Sequence, residues 1–201
     1  MSAGLLAGCT VMVVDTETTG FDPAKGDRIV QVACLPVVDG VPGEAWTSYV
    51  NPGRPIPPDA SRVHGITDAH VRTAPTYAEI APVLRERIGD HWLAFHNAHF
   101  DVPFLRHLFE STGVRPLTAP TLDTLGLARR LRPGRDNSLR ALAPEVKMVQ
   151  ADGRHEAGSD TRITAALLGR FLAALQAAQP HEPLTQLAAR SLDDSRRRPM
   201  R

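Results

Sequence analysis

The first strong run of apolar positions is Val11-Met12-Val13-Val14, followed at once by Asp15-Thr16-Glu17-Thr18-Thr19-Gly20. A short continuous run of mostly β-branched residues reads as a strand buried on both faces. Strand side chains alternate, so Asp15 and Glu17 leave the same face of that strand's end, a few residues before a glycine turn. Two like charges held that close repel one another unless a cation lies between them. The structural alternative is an acidic strand-to-loop transition, and the rest of the chain has to decide between the two.

Downstream, residues 28–38 form a second strand, Asp39-Gly40 is a hairpin signal, and 45–50 form a third strand, so the sheet opens as an antiparallel meander. Four prolines between 51 and 58 predict a stiff extended loop, and a short helix is expected from about Thr67 or Asp68. Thr76 and Glu79 have capping-box spacing ahead of Ile80, Val83, Leu84 and Ile88, which give one apolar helix face ending at Gly89. Residues 92–95 are the next buried strand, and His96-Asn97-Ala98-His99 leads into a helix. A short strand at 121–124 passes into a helix through Leu131. A loop at 132–137 precedes a helix capped by Ser138, and a long helix runs from about Ser159 to Gln179. A meander followed by alternating helices and strands predicts an α/β fold: a three-layer sandwich with a mixed central sheet and helices on both faces. Past Pro180 the pattern dissolves: Leu184, Leu187 and Leu192 make at most one weak amphipathic turn, and 180–201 is expected to be a flexible tail with a basic end.

Helical spacing aims two further carboxylates at this core. Asp101 shares a face with Phe104, Leu105 and Leu108, and Asp160 shares one with Ile163, Thr164 and Leu167. For Asp160 alone, a capping or helix-dipole role is an equal reading. Two inward carboxylates on separate helices and two on a strand end would together destabilise a fold, which points to hard divalent cations as their partners. His155, five residues ahead of Asp160, is ordinarily a solvated loop residue; beside such a cluster it is a candidate general base.

Composition narrows this picture. A chain of 201 residues with 42% hydrophobic content can bury one sizeable core, and a formal net charge of +1 provides no global attraction to nucleic acid. Any such binding has to be local. Cys9 and Cys34 sit in or beside apolar runs, so no disulfide framework is expected. No membrane span or secretory leader is read in the chain, and the expectation is a cytoplasmic protein.

Three segments carry a resemblance: Asp15-Thr16-Glu17 after a buried strand, His96-Asn97 with Phe100-Asp101 opening a helix, and His155 with Asp160 opening another. In that order they are similar to the exonuclease motifs of the DEDD superfamily, histidine-containing branch, over about residues 10–178. Val63-His64-Gly65-Ile66-Thr67 and Leu122-Asp123-Thr124 also resemble this family. Within it, the chain looks most like the proofreading epsilon subunits of bacterial DNA polymerase III and their free-standing relatives. Gln31 stands where many relatives have Glu, and Glu156, Gly158 and Ser159 depart from the usual third motif.

The resemblance implies a ribonuclease H-like sandwich, with a lead-in at 1–9 and an exonuclease domain at 10–179. It implies a 3′-5′ exonuclease releasing 5′-mononucleotides, with two divalent ions, Mg²⁺ or Mn²⁺. Asp15, Glu17, Asp101 and Asp160 would hold those ions, and His155 would take the proton of the attacking water. Thr16, Thr18, His64, His96, Asn97 and Phe100 would contact the terminal nucleotide. The implied partners are the 3′ end of a single strand, DNA ahead of RNA, and a DNA polymerase. A 3′-5′ exoribonuclease of the oligoribonuclease or ribonuclease T kind remains open, as does a catalytically silent polymerase-docking module. Glu156 beside His155 suggests a raised histidine pKa, and five arginines at 129, 130, 132, 135 and 140 form either a solvated face or a phosphate contact.

Overall fold

Strand β1, Thr10–Thr18, lies inside a six-stranded sheet in the computed structural model, which describes residues 4–148 and 155–197. Strand β2, Ile29–Val38, pairs antiparallel with β1, and both β3, Val41–Pro42, and β4, Trp46–Tyr49, pair antiparallel with β2. On the other side of β1, strand β5, Trp92–Phe95, is parallel to it, and β6, Thr121–Asp123, is parallel to β5. The meander and the mixed sheet are therefore as the pattern predicts.

The alternation along β1 divides the core. Val11 and Val13 pack with Leu167 and Leu168 of the long helix α7, Ala157–Ala178, on one face. Met12 and Val14 pack with Leu84 of α3, Tyr77–Ile88, and with Phe104 and Leu108 of α4, Ala98–Ser111, on the other. Helices cover both faces, as a strand apolar on both sides requires. The Thr76–Glu79 box forms as the spacing predicts: the Thr76 backbone N–H donates to the Glu79 carboxylate at 2.8 Å.

Two elements differ from the sequence reading. The proline-rich segment runs straight into a helix, α1, Pro58–His64, before α2, Asp68–Val71. Pro58 occupies the first turn, where its missing N–H is no loss, so prolines that read as loop also start a helix. The expected flexible tail is the second correction, because Leu184–Arg196 is a helix, α8, with Leu187, Ala188 and Ser191 buried. It packs on α5, Thr124–Leu131, at Gly126, where an added Cβ would lie 1.8 Å from the Ser191 carbonyl oxygen. Leu184 and Leu187 join the core that α7 covers and Leu192 the one that α4 covers, while the closest approach, at Gly126, is through backbone and small atoms, which carry little hydrophobic signal. Arg130 and Arg190 both pair with Glu182 at 2.8 Å, fastening the lead into α8. The end of the expected basic tail, 198–201, lies outside the described residues. Among the described residues no helix is long and apolar enough to cross a membrane.

Candidate active site

The carboxylate end of β1 sits between the N-terminal turns of α4 and α7, and each of the three is positioned by local chemistry. Between Glu17 and Thr18 the pairing with β2 slips, Glu17 opposing Gln31 and Thr18 opposing Ile29. Such a bulge sharpens the twist and re-aims the side chains around it. Asp15 and Glu17 share the β1 face that α7 covers, while Thr16 shares the face that α4 covers.

Asp101 lies in the first turn of α4 and is 3% exposed. The turn before it needs Asn97 in the left-handed conformation, φ 79°, which asparagine tolerates better than most residues. That turn is fixed from β6: the Asn97 and Ala98 backbone N–H groups donate to the two oxygens of Asp123, each at 2.9 Å. Asp123 also accepts the Leu125 N–H at 3.0 Å, so one buried carboxylate holds the starts of α4 and α5 together. Asp101 then reaches Thr16, whose backbone N–H and hydroxyl donate to one of its oxygens at 2.9 and 2.7 Å.

Helix α7 is set in a similar way. Gln31 of β2 accepts the Ala157 N–H at 3.1 Å, and the Glu156 carboxylate accepts the N–H groups of Gly158 and Ser159 at 3.2 and 2.8 Å. This aims Asp160, 1% exposed, at the β1 end. His155 Nδ1 lies 2.9 Å from an Asp160 oxygen. An ionised carboxylate only accepts, so Nδ1 carries the proton and Nε2 is left as the basic nitrogen.

The charges respond to this crowding. Burial, then the Asp101, Glu17 and Asp160 charges, hold Asp15 well above the usual carboxylate range. Burial pushes Glu17 up to about 8, although His155 pulls it down. Burial pushes Asp101 up to about 7 against the hydrogen bonds from Thr16. His155 is raised, mainly by its hydrogen bond to Asp160. The expectation that Glu156 raises it is corrected: the direction holds, but Asp160 and Glu17 supply the negative charge, and Glu156 serves as the α7 cap.

Glu17, His155 and Asp160 each offer a ligand atom within 4.8 Å of the others. Buried carboxylates with hard oxygen donors fit a divalent cation, which would offset the repulsion that adds to burial in raising Asp15 and Glu17. Asp15, Glu17, Asp101, His155 and Asp160 all line one cavity of about 510 Å³.

The residues expected around the nucleotide divide. Thr16, His96, Asn97 and Phe100 line the cavity. Thr18 and His64 are not among its lining residues: the Thr18 hydroxyl donates to the Gly20 carbonyl at 2.6 Å, and His64 Nε2 lies 3.3 Å from the Thr18 carbonyl. They hold the bend after β1. His96 lines the wall with both ring nitrogens engaged, by Thr124 at 2.8 Å and the Asn137 carbonyl at 3.0 Å. Sequence reasoning missed Val63 and the wall formed by Asn137, Ser138 and Leu139. The Ser138 cap was the one local signal there. Phe21, 89% exposed, stands edge-on to Phe100 with ring centroids 6.3 Å apart.

A mixed α/β sandwich that brings a cluster of buried carboxylates and a histidine to one strand end defines the class as a phosphodiester hydrolase of ribonuclease H-like fold, of the 3′-5′ exonuclease kind. The chain belongs to the exonuclease family, whose model matches residues 12–168. A DNA polymerase III subunit epsilon of Rickettsia conorii is 37% identical over 174 residues, which cover 83% of this chain and 75% of that one. A DNA polymerase III subunit epsilon-like protein of Rhodobacter capsulatus is 41% identical over 172 residues, covering 84% of this chain and 24% of that one, so the present chain spans about a quarter of it. The solved structure of Exonuclease X in complex with 5′ overhanging duplex DNA superposes with a TM-score of 0.68 at 30% identity, covering 90% of this chain and 99% of that chain.

Proposed function

We propose that this protein is a metal-dependent exonuclease that removes 5′-mononucleotides from the 3′ end of single-stranded DNA. The observation that carries the reading is the convergence of Asp15, Glu17, Asp101 and Asp160, from one strand and two helices, on the cavity that His155 also lines. Its volume of about 510 Å³ suits one nucleotide-sized ligand. DNA ahead of RNA is supported by the DNA in the Exonuclease X complex. A DNA polymerase partner is supported by the relatives' designation as polymerase subunits, and a cytoplasmic location fits that role.

Asp15, Glu17 and Asp160 would hold one Mg²⁺ or Mn²⁺, and Asp15 with Asp101 the second. Bound ions of this kind supply charge neutralisation on the phosphoryl oxygens and acidity to the attacking water. The protein's own part is orientation. Thr16 holds Asp101, Gln31 and Glu156 hold the start of α7, and Asp160 fixes the tautomer of His155 so that Nε2 faces the proton to be removed. Asn97 and Phe100 line the wall against which the terminal nucleotide packs.

The test is hydrolysis of matched 3′-labelled DNA and RNA oligonucleotides with Mg²⁺ or Mn²⁺ by the parent, Asp15→Ala and His155→Ala. Mononucleotide release from DNA that both variants lose supports the reading. Preferential RNA hydrolysis would make the protein an exoribonuclease, and a folded parent inert on both would make it a docking module.

A further inference from the structure

The five arginines between 129 and 140 divide once their partners are traced. Arg130 is tied to Glu182 and Arg132 to Glu145, at 2.8 and 2.9 Å. Arg140 is exposed and is not among the residues that line the cavity. Arg129 and Arg135 do line the cavity that contains the carboxylates, and among the described residues neither makes an ion pair. The Arg129 guanidinium donates to the Asp194 carbonyl at 3.3 Å and to the Ser195 carbonyl, at the end of α8. Those neutral oxygens fix it in place and leave its charge uncompensated.

Arg135 is exposed, on a backbone that is held firmly. The Asn137 side-chain amide donates to the Arg132 and Arg135 carbonyls at 3.3 and 3.0 Å, and the Asn137 carbonyl is held by His96 at 3.0 Å. The acidic neighbour, Asp136, is turned to the start of the next helix, where it accepts the Ser138 N–H at 2.8 Å. A long cationic side chain therefore projects from a fixed root.

We propose that Arg129 and Arg135 form a second anion subsite in this cavity, which binds a phosphodiester of the strand upstream of the bond being cleaved. The proposal rests on the reading above, that a nucleic-acid 3′ end enters the cavity. A strand whose terminal phosphate lies at the carboxylates carries further negative charges away from them, and a protein of net charge +1 attracts those only locally. The two uncompensated guanidinium groups supply that attraction. Phosphates repeat identically along a strand, so the subsite strengthens binding without reading base or sugar.

The test compares a single-stranded oligonucleotide with thymidine 5′-p-nitrophenyl phosphate, a small ester with one phosphate and no upstream strand, across a salt series with Mn²⁺. For Arg135→Ala, the oligonucleotide KM rises by roughly three- to tenfold at low salt while kcat stays within about twofold. The slope of log KM against log salt falls by about 0.7. The small ester's KM does not change, and Arg135→Lys recovers most of the loss. Arg106→Ala, an exposed arginine on α4 outside the cavity, keeps the parent slope. An unchanged oligonucleotide KM and slope in Arg135→Ala overturns the subsite, as does an equal rise with the small ester. A parent that cleaves the small ester but no DNA or RNA oligonucleotide overturns the exonuclease reading and this inference together; oligonucleotide cleavage indifferent to Arg135 overturns this inference alone.

Discussion

Thr16 and Asp101, 85 residues apart in the chain, are joined twice: the Thr16 N–H and hydroxyl both donate to one oxygen of Asp101, at 2.9 and 2.7 Å. This pair links the strand that bears Asp15 and Glu17 to the helix that bears Asp101. Those bonds also lower a carboxyl that burial pushes up to about 7. In Thr16→Val the hydroxyl bond is lost and the backbone bond stays, so protons compete better with cations for Asp101. The divalent-cation concentration that gives half-maximal activity at neutral pH rises several-fold, and the difference narrows as pH rises. Thermal stability changes by about 1 kcal/mol. Metal titrations of activity at two pH values, together with melting curves, check this.

Glu17 and Asp101 have folded-state pKa values of about 8 and 7, above their ordinary 4.5 and 3.8. The metal-free folded protein thus binds these protons more tightly than the unfolded chain. The resulting stabilisation is complete below the ordinary values and is lost as pH rises through about 7 and 8. Chelated protein should therefore melt at a lower temperature at about pH 8.5 than at about pH 5, with Mn²⁺ restoring the difference and Glu17→Gln flattening the slope. A flat melting profile in chelator would contradict the crowding of these charges.

Glu156 next to His155 looks like a pKa device in the sequence, and in the structure it is a helix cap. Glu156→Ala should lower stability by about 0.5–2 kcal/mol through loss of the Gly158 and Ser159 contacts. The acidic limb of the pH–rate profile should overlay the parent's, because the raised His155 is governed by Asp160. A limb displaced to lower pH would return that role to Glu156.

Removal of residues 184–201 separates a docked helix from a tail. Leu187, Ala188 and Ser191 are buried, and the Ser191 hydroxyl accepts the Asp123 N–H at 2.9 Å, beside the carboxylate that holds the start of α4. Truncation should reduce stability by roughly 2–4 kcal/mol and reduce activity with it. Denaturant unfolding of the two lengths measures this, and unchanged midpoints would contradict the docking.

What could be read from the sequence follows from what each signal depends on. Val11 to Val14 and the strand at 92–95 could be read because a short continuous apolar run marks a buried strand, and the inward aim of Asp101 and Asp160 because a periodic apolar face fixes where a helical side chain points. The bulge at Glu17, the Asp123 clamp on Asn97, and Gln31 holding Ala157 depend on partners that are far away in sequence, and no local pattern encodes them. Helix α8 reads in the sequence as no more than one weak amphipathic turn, because Leu184, Leu187 and Leu192 are sparse and its closest approach, Gly126 to Ser191, is through backbone and small atoms. Thr18 and His64 match a motif, and the contact between His64 Nε2 and the Thr18 carbonyl, 46 residues apart, is again one that no local pattern encodes.

Mass-spectrometric identification of the products from a single-stranded DNA oligonucleotide with Mg²⁺ or Mn²⁺ tests the central claim most directly. The account predicts a ladder shortened from the 3′ end, nucleoside 5′-monophosphates as the small product, and loss of both with chelator or in Asp15→Ala. Internal fragments, nucleoside 3′-monophosphates, or release that persists in chelator and in Asp15→Ala would contradict it.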